Sequence, residues 1–221
     1  MILCKKQHWL SDNKGFTLVE MIGVLAIIAI LVAAIGPRIF DAIADSRITS
    51  FATTTKTIQT SVSKYYADVG TLYPLVAATG VPAADAAGTL LPNILIGQTV
   101  APAAPVGMWS KVRGPYLDKF QSASPPLGTA MIMPSVAAVA GAVNANNATT
   151  WDLNGDGTSD LAAGTQTVCL QITGVSLKEF TKLDIVLDEG IGTTAADKQA
   201  RGKAKWANAN GGTLRIYLAS N

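Results

Sequence analysis

The run that most limits how this chain can fold is Phe16–Ile35, FTLVEMIGVLAIIAILVAAI, twenty residues carrying one charge, Glu20. As a helix it covers about 30 Å, the thickness of the hydrocarbon layer of a bilayer. Lys5, Lys6 and Lys14 precede it, which orients the N-terminus to the cytoplasm and the chain beyond Pro37 to the outside. A core helix is rarely so uniformly apolar. A cleaved secretory signal has a shorter apolar run, ends in an A-x-A-like site and does not hold a glutamate. A plain signal anchor fits the length but leaves Glu20 without a reason. A carboxylate costs about 2.5–3.5 kcal/mol at the bilayer centre, and no Lys, Arg or His lies within the span to offset it. Cutting the chain after Gly15 supplies a cation: a new α-amine at Phe16, one helical turn before Glu20.

The stretch Lys14-Gly15-Phe16-Thr17-Leu18-Val19-Glu20 resembles the prepilin signature of type IV pilins and type II secretion pseudopilins. The resemblance implies that a prepilin peptidase removes residues 1–15 as a leader, cutting between Gly15 and Phe16, and N-methylates Phe16. It implies that Glu20 pairs with the terminal amine of a neighbouring subunit during assembly. The expected partners are copies of the same chain, minor pilins or pseudopilins, the peptidase and an inner-membrane assembly platform. The expected location is the bacterial inner membrane in a single pass, then a periplasmic or cell-surface filament. The implied fold is α+β and pilin-like, a long N-terminal helix with a C-terminal antiparallel sheet packed on its second half.

Charge and reactive side chains narrow the function classes. The whole chain has 17 basic and 15 acidic residues; removing Lys5, Lys6, Lys14 and Asp12 with the leader leaves 14 of each. A neutral mature chain gives no electrostatic case for nucleic-acid binding. His8 is the only histidine, and Cys4 and Cys169 are the only cysteines. Neither a Ser/His/Asp triad in the mature chain nor a zinc cluster can be built from these. An enzyme is not expected. Loss of Cys4 also leaves Cys169 without an internal disulfide partner, unlike many type IV pilins, and Cys169 reads as a small buried apolar residue.

Beyond the apolar run, Gly36-Pro37 predicts a kink or local loosening of the helix at Pro37. Phe40, Ala44, Ile48, Phe51, Thr55, Ile58, Val62, Tyr65 or Tyr66, and Val69 then recur at steps of three and four, the period of an amphipathic helix. Gly70 stands where a helix stop belongs, with Pro74 shortly after. The expected organisation is therefore 16–36 as membrane and filament-core helix, 37–70 as its amphipathic continuation, and 71–221 as an α+β head. Residues 71–150 hold nine of the ten prolines and only five charged residues, which predicts an extended loop with short helical turns. Within it, Met131–Val143 reads as a buried segment too short to span a bilayer. Trp109–Leu117, WSKVRGPYL, is similar to a stretch of the major pseudopilin of type II secretion, or is a turn entering a strand.

Residues 151–161 read WDLNGDGTSDL. The D-x-[DN]-x-[DN]-G order is that of a calcium loop, in which alternate oxygens converge and a glycine allows the sharp turn. The expected ligands over 152–160 are the side chains of Asp152, Asn154 and Asp156, the Thr158 carbonyl, and Asp160 directly or through water. Position 12 of such a loop is Ala163 rather than a bidentate Glu, so a further oxygen must come from elsewhere, with Asp184, Asp188 and Glu189 as candidates, or from water. A solvated Asx-rich turn needs no ion and is the competing reading. Major pseudopilins bind calcium in their C-terminal region, with a different local sequence.

In the C-terminal part, Val168, Leu170 and Ile172 alternate with polar or small residues as in a half-buried strand. Ser176-x-x-Glu179 is a capping box opening a short helix. Lys205–Ala207 and Leu214–Leu218 flank Gly211-Gly212 as a hairpin. The function these features predict is structural: a major pilin or major-pseudopilin-like filament subunit. The alternative is a monomeric, membrane-anchored, calcium-stabilised binding module.

Overall fold

The computed structural model describes residues 15–98, 106–188, 191–192, 194–208 and 211–221. Met1–Lys14 lie outside these residues, and with them almost all of the expected leader. The layout is α+β and pilin-like. A long helix, α1 (Leu18–Val69), is followed by α2 (Leu90–Leu95), strands β1 (Ala130–Ile132), β2 (Ser135–Ala137) and β3 (Gln166–Thr173), helices α3 (Leu177–Asp188) and α4 (Ala195–Ala200), and strands β4 (Ala204–Ala207) and β5 (Thr213–Ser220). By internal contacts the chain divides between Ile43 and Ala44.

In the first unit, every described side chain from Phe16 to Ile43 is exposed. The helix continues through Pro37. An 18-residue window of this helix reaches a mean hydropathy of 2.9, long and apolar enough to cross a membrane.

In the second unit, the remainder of α1 buries Ile48, Phe51, Ala52, Thr55, Ile58, Ser61, Val62, Tyr65 and Val69, one stripe at three- and four-residue steps. The expected stripe began at Phe40, but Phe40 is 74% exposed, so burial within the chain starts two turns later, at Ile48. The helix stops at Gly70, whose φ of +84° carries the backbone into the left-handed region that glycine enters without cost.

The sheet is antiparallel, with order β1-β3-β5-β4 and β2 also on β3. β1 lies along Gln171–Thr173 and β2 along Gln166–Val168, so the two short strands share one edge of β3. They are a correction to the reading of Met131–Val143 as simply a buried segment. Pro134 cannot donate to a ladder, and it separates two three-residue strands that exist because β3 offers them an edge. In the loop before them, Trp109 sits in a 3-10 helix, Gly107–Lys111, and no strand follows it directly. Its indole Nε1 donates to the Val76 carbonyl at 3.1 Å.

The β4–β5 hairpin forms with Lys205 opposite Arg215 and Ala207 opposite Thr213. Gly212 closes it: a Cβ at that position would stand 1.9 Å from the Val175 carbonyl oxygen. The main core joins the α1 stripe to Leu91, Ile94 and Leu95 of α2, Val168, Leu170 and Ile172 of β3, and Leu214, Ile216 and Leu218 of β5. Alternation puts Cys169, Arg215, Tyr217 and Lys205 on the reverse side of the sheet. There Trp151 packs edge-on against Tyr217, with ring centroids 5.5 Å apart. The Lys205 ammonium lies 4.1 Å from the centre of the Trp151 ring. It donates to the carbonyls of Asn144 at 3.2 Å, Asn147 at 2.9 Å and Thr150 at 2.5 Å, so a fully buried lysine ties the 144–150 loop to the sheet.

Candidate functional site

Two groups of residues carry the chemistry expected of this chain, and they lie in different units. The first is the helix start. Gly15, Phe16 and Glu20 are all exposed, Phe16 at 81%. Thr17 caps the helix: its backbone N–H and its hydroxyl each donate to Glu20 Oε2 at 2.8 Å, and its Oγ1 accepts the Glu20 N–H at 3.2 Å. This reciprocal arrangement is a capping box, two helix-end donors satisfied at once. It gives the lone carboxylate of the span a local partner that holds no charge. Thr17 is the residue sequence reasoning missed, although the T-x-x-E spacing that reveals it is the counterpart of the S-x-x-E read at Ser176–Glu179. At that second box, Ser176 Oγ and its N–H both donate to Glu179 Oε2, at 2.7 and 2.9 Å, and α3 follows.

The second group is the acidic loop. Asp152 is fully buried and points inward. Its Oδ1 accepts the N–H groups of Gly155 at 2.6 Å and Asp156 at 3.0 Å, and its Oδ2 that of Gly157 at 2.7 Å. Arg201 Nε stands 3.5 Å from Asp152 Oδ2, while the same guanidinium reaches Asp197 Oδ1 at 3.1 Å and the Gly155 carbonyl at 3.0 Å. Arg201 is thus a cation already set against the loop. No local pattern announces it, since it lies 46 residues from Gly155 in the chain.

Asn154, Asp156 and Asp160 are exposed and do meet. Asn154 Nδ2 donates to Asp160 Oδ1 at 2.7 Å and to Asp156 Oδ2 at 3.3 Å. Asp160 Oδ2 also accepts the N–H groups of Leu153 at 2.5 Å and Asn154 at 3.1 Å. Thr158 turns its hydroxyl and N–H onto Asp156 Oδ1, at 2.7 and 2.8 Å, and these bonds hold the Asp156 carboxyl below its ordinary pKa. Of the five expected ligands, then, the side-chain ends of Asn154, Asp156 and Asp160 converge and Asp152 is engaged elsewhere; at Thr158 the expected donor is the carbonyl, and the bonds described above are those of its N–H and hydroxyl. Among the described residues, no group of three or more His, Cys, Asp or Glu side chains is placed to hold a metal ion.

The comparisons with known proteins bear on the first group. The model of the prokaryotic N-terminal methylation motif matches residues 10–36, which contain Gly15, Phe16, Thr17 and Glu20. No curated protein and no solved structure matches the chain. A methylation motif over the helix start, an exposed apolar helix behind it and an antiparallel sheet in the head concur: this chain carries the prokaryotic N-terminal methylation motif on a pilin-like α+β layout.

Proposed function

We propose that the chain is a structural subunit of a helical filament of the type IV pilus and type II secretion superfamily. It waits in the inner membrane as a single-pass protein, is cut and methylated by a prepilin peptidase, and polymerises. The observation that carries this reading is the methylation motif at 10–36 laid over the start of a helix whose apolar side chains are exposed as far as Ile43. Assembly buries that surface against other copies. The Phe16 amine of one subunit and Glu20 of the next then set the depth at which each subunit docks, with Glu20 exchanging the Thr17 donors for a cation. A major subunit, of a surface pilus or of a secretion pseudopilus, is the form proposed; imaging cells for long external fibres separates the two.

Mass spectrometry of the protein from its host tests the reading first. The expected N-terminus is methylated Phe16, and an intact Met1 leader supports the monomeric binding module instead. Glu20→Ala should leave the protein membrane-bound and its head folded while filament yield collapses. Normal filaments from that variant would overturn the pairing role.

We also propose that the 152–160 loop takes a calcium ion on its exposed side, with Asn154, Asp156 and Asp160 as side-chain ligands. The all-oxygen donor set suits a hard cation. Binding requires the Asn154 amide to turn its oxygen toward the two carboxylates that its nitrogen now bridges. Calcium should raise the melting midpoint and a chelator lower it; a midpoint indifferent to both leaves the loop to its own hydrogen bonds and Arg201.

A further inference from the structure

Two carboxylates stand one helical turn apart at the end of α3, beside Gly202, whose N–H donates to the Asp152 carbonyl of the acidic loop at 2.7 Å. Asp184 is 2% exposed. One oxygen of each residue, Asp184 Oδ1 and Asp188 Oδ1, is buried without a hydrogen-bond partner. The other oxygen of Asp188 is well served: it accepts the N–H groups of Lys203 at 2.5 Å and Ala204 at 3.2 Å, at the entry to β4. Backbone donors of this kind favour the ionised form. Gly202 leaves room for it, since a Cβ there would stand 2.2 Å from Asp188 Oδ2.

Nothing comparable favours charge on Asp184. It is buried and it faces Asp188. Burial first, and then the charge and hydrogen bond of Asp188, push its carboxyl far above the ordinary range; Lys198, from α4, acts the other way. From the β4 side the facing groups are the backbone N–H groups of Lys203 and Ala204, the Lys203 side chain being exposed.

We propose that Asp184 is protonated at neutral pH and donates that proton to Asp188 Oδ1, so that one hydrogen atom satisfies both orphaned oxygens. The resulting acid–carboxylate pair runs from α3 through Asp188 to the start of β4 and latches the two elements together. Removing the proton leaves two adjacent buried anions, an arrangement one of them must escape. The folded state therefore retains a proton that the unfolded chain surrenders at about pH 4. The latch contributes fully below that pH and is lost progressively as pH rises through the raised folded value.

The test uses the full chain in detergent, melted from about pH 5 to about pH 9, with infrared spectra of the carboxyl region. The wild type should lose midpoint as pH rises and show the carbonyl stretch of a protonated, buried carboxyl at neutral pH. Asp184→Asn, uncharged and still a donor, should flatten the profile, melt higher than wild type at the alkaline end and lack that band. Absence of the band from wild type overturns the proposal. So does a flat wild-type profile, or a divalent-cation stabilisation abolished by Asp184→Asn, which would put an ion where the proton is assigned. Should Asp184→Asn fail to fold, the wild-type band alone decides.

Discussion

The two parts of α1 share one backbone geometry and differ in everything around it. From Phe16 to Ile43 its side chains are exposed on all sides, and between Phe16 and Ile35 Glu20 is the single charged group. From Ile48 onward one stripe is buried and polar side chains take part in the packing: Ser61 Oγ donates to the Tyr116 carbonyl at 2.9 Å, and the Tyr65 hydroxyl to the Tyr73 carbonyl at 2.9 Å. The comparison separates two sources of helix stability. The later part is held by the chain's own core, whereas the earlier part, with its side chains exposed, gains no such support from the described residues.

That contrast can be broken by substitution. Phe51→Ala should destabilise the head by about 3–5 kcal/mol, read by denaturant unfolding, because it empties a fully buried site. Leu25→Ala, also a truncation of a large apolar side chain to a methyl, should leave head unfolding unmoved, since Leu25 is 64% exposed. A matching loss from Leu25→Ala would mean the two parts are not independent. Ser61→Ala should cost about 1–2 kcal/mol by stranding the Tyr116 carbonyl. The smallest effect belongs to Lys182→Ala. It removes an ion pair with Asp45 whose side chains are 33% and 58% exposed, so about 0–1 kcal/mol is expected, shrinking further with added salt.

Local and periodic signals carried most of the fold into view. The α1 stripe, the Gly70 stop, the Ser176 cap and the β4–β5 hairpin each depend on residues a few positions apart, and each was readable. β1 and β2 were not. Three residues hold no period, and Pro134 argues against a strand unless a partner edge is already known. The site divides along the same line. Thr17 could have been read from its spacing to Glu20, because a cap is local. Arg201 and Lys205 could not: apart from Asp197, four residues before Arg201, each meets its partners across about fifty residues, and a single cation in a loop or strand looks like any other solvated charge until the fold brings acceptors to it.

Cys169 lies on β3 opposite Tyr217, 1% exposed, with its thiol pushed up to about 12 by burial while Lys205 and Arg215 act the other way. A thiol so sealed is inert to alkylating reagents until the sheet opens. If the leader is removed together with Cys4, every labelling event on the mature subunit reports opening at one known strand. The protein then carries its own clock for how often the head comes apart, free or within a fibre.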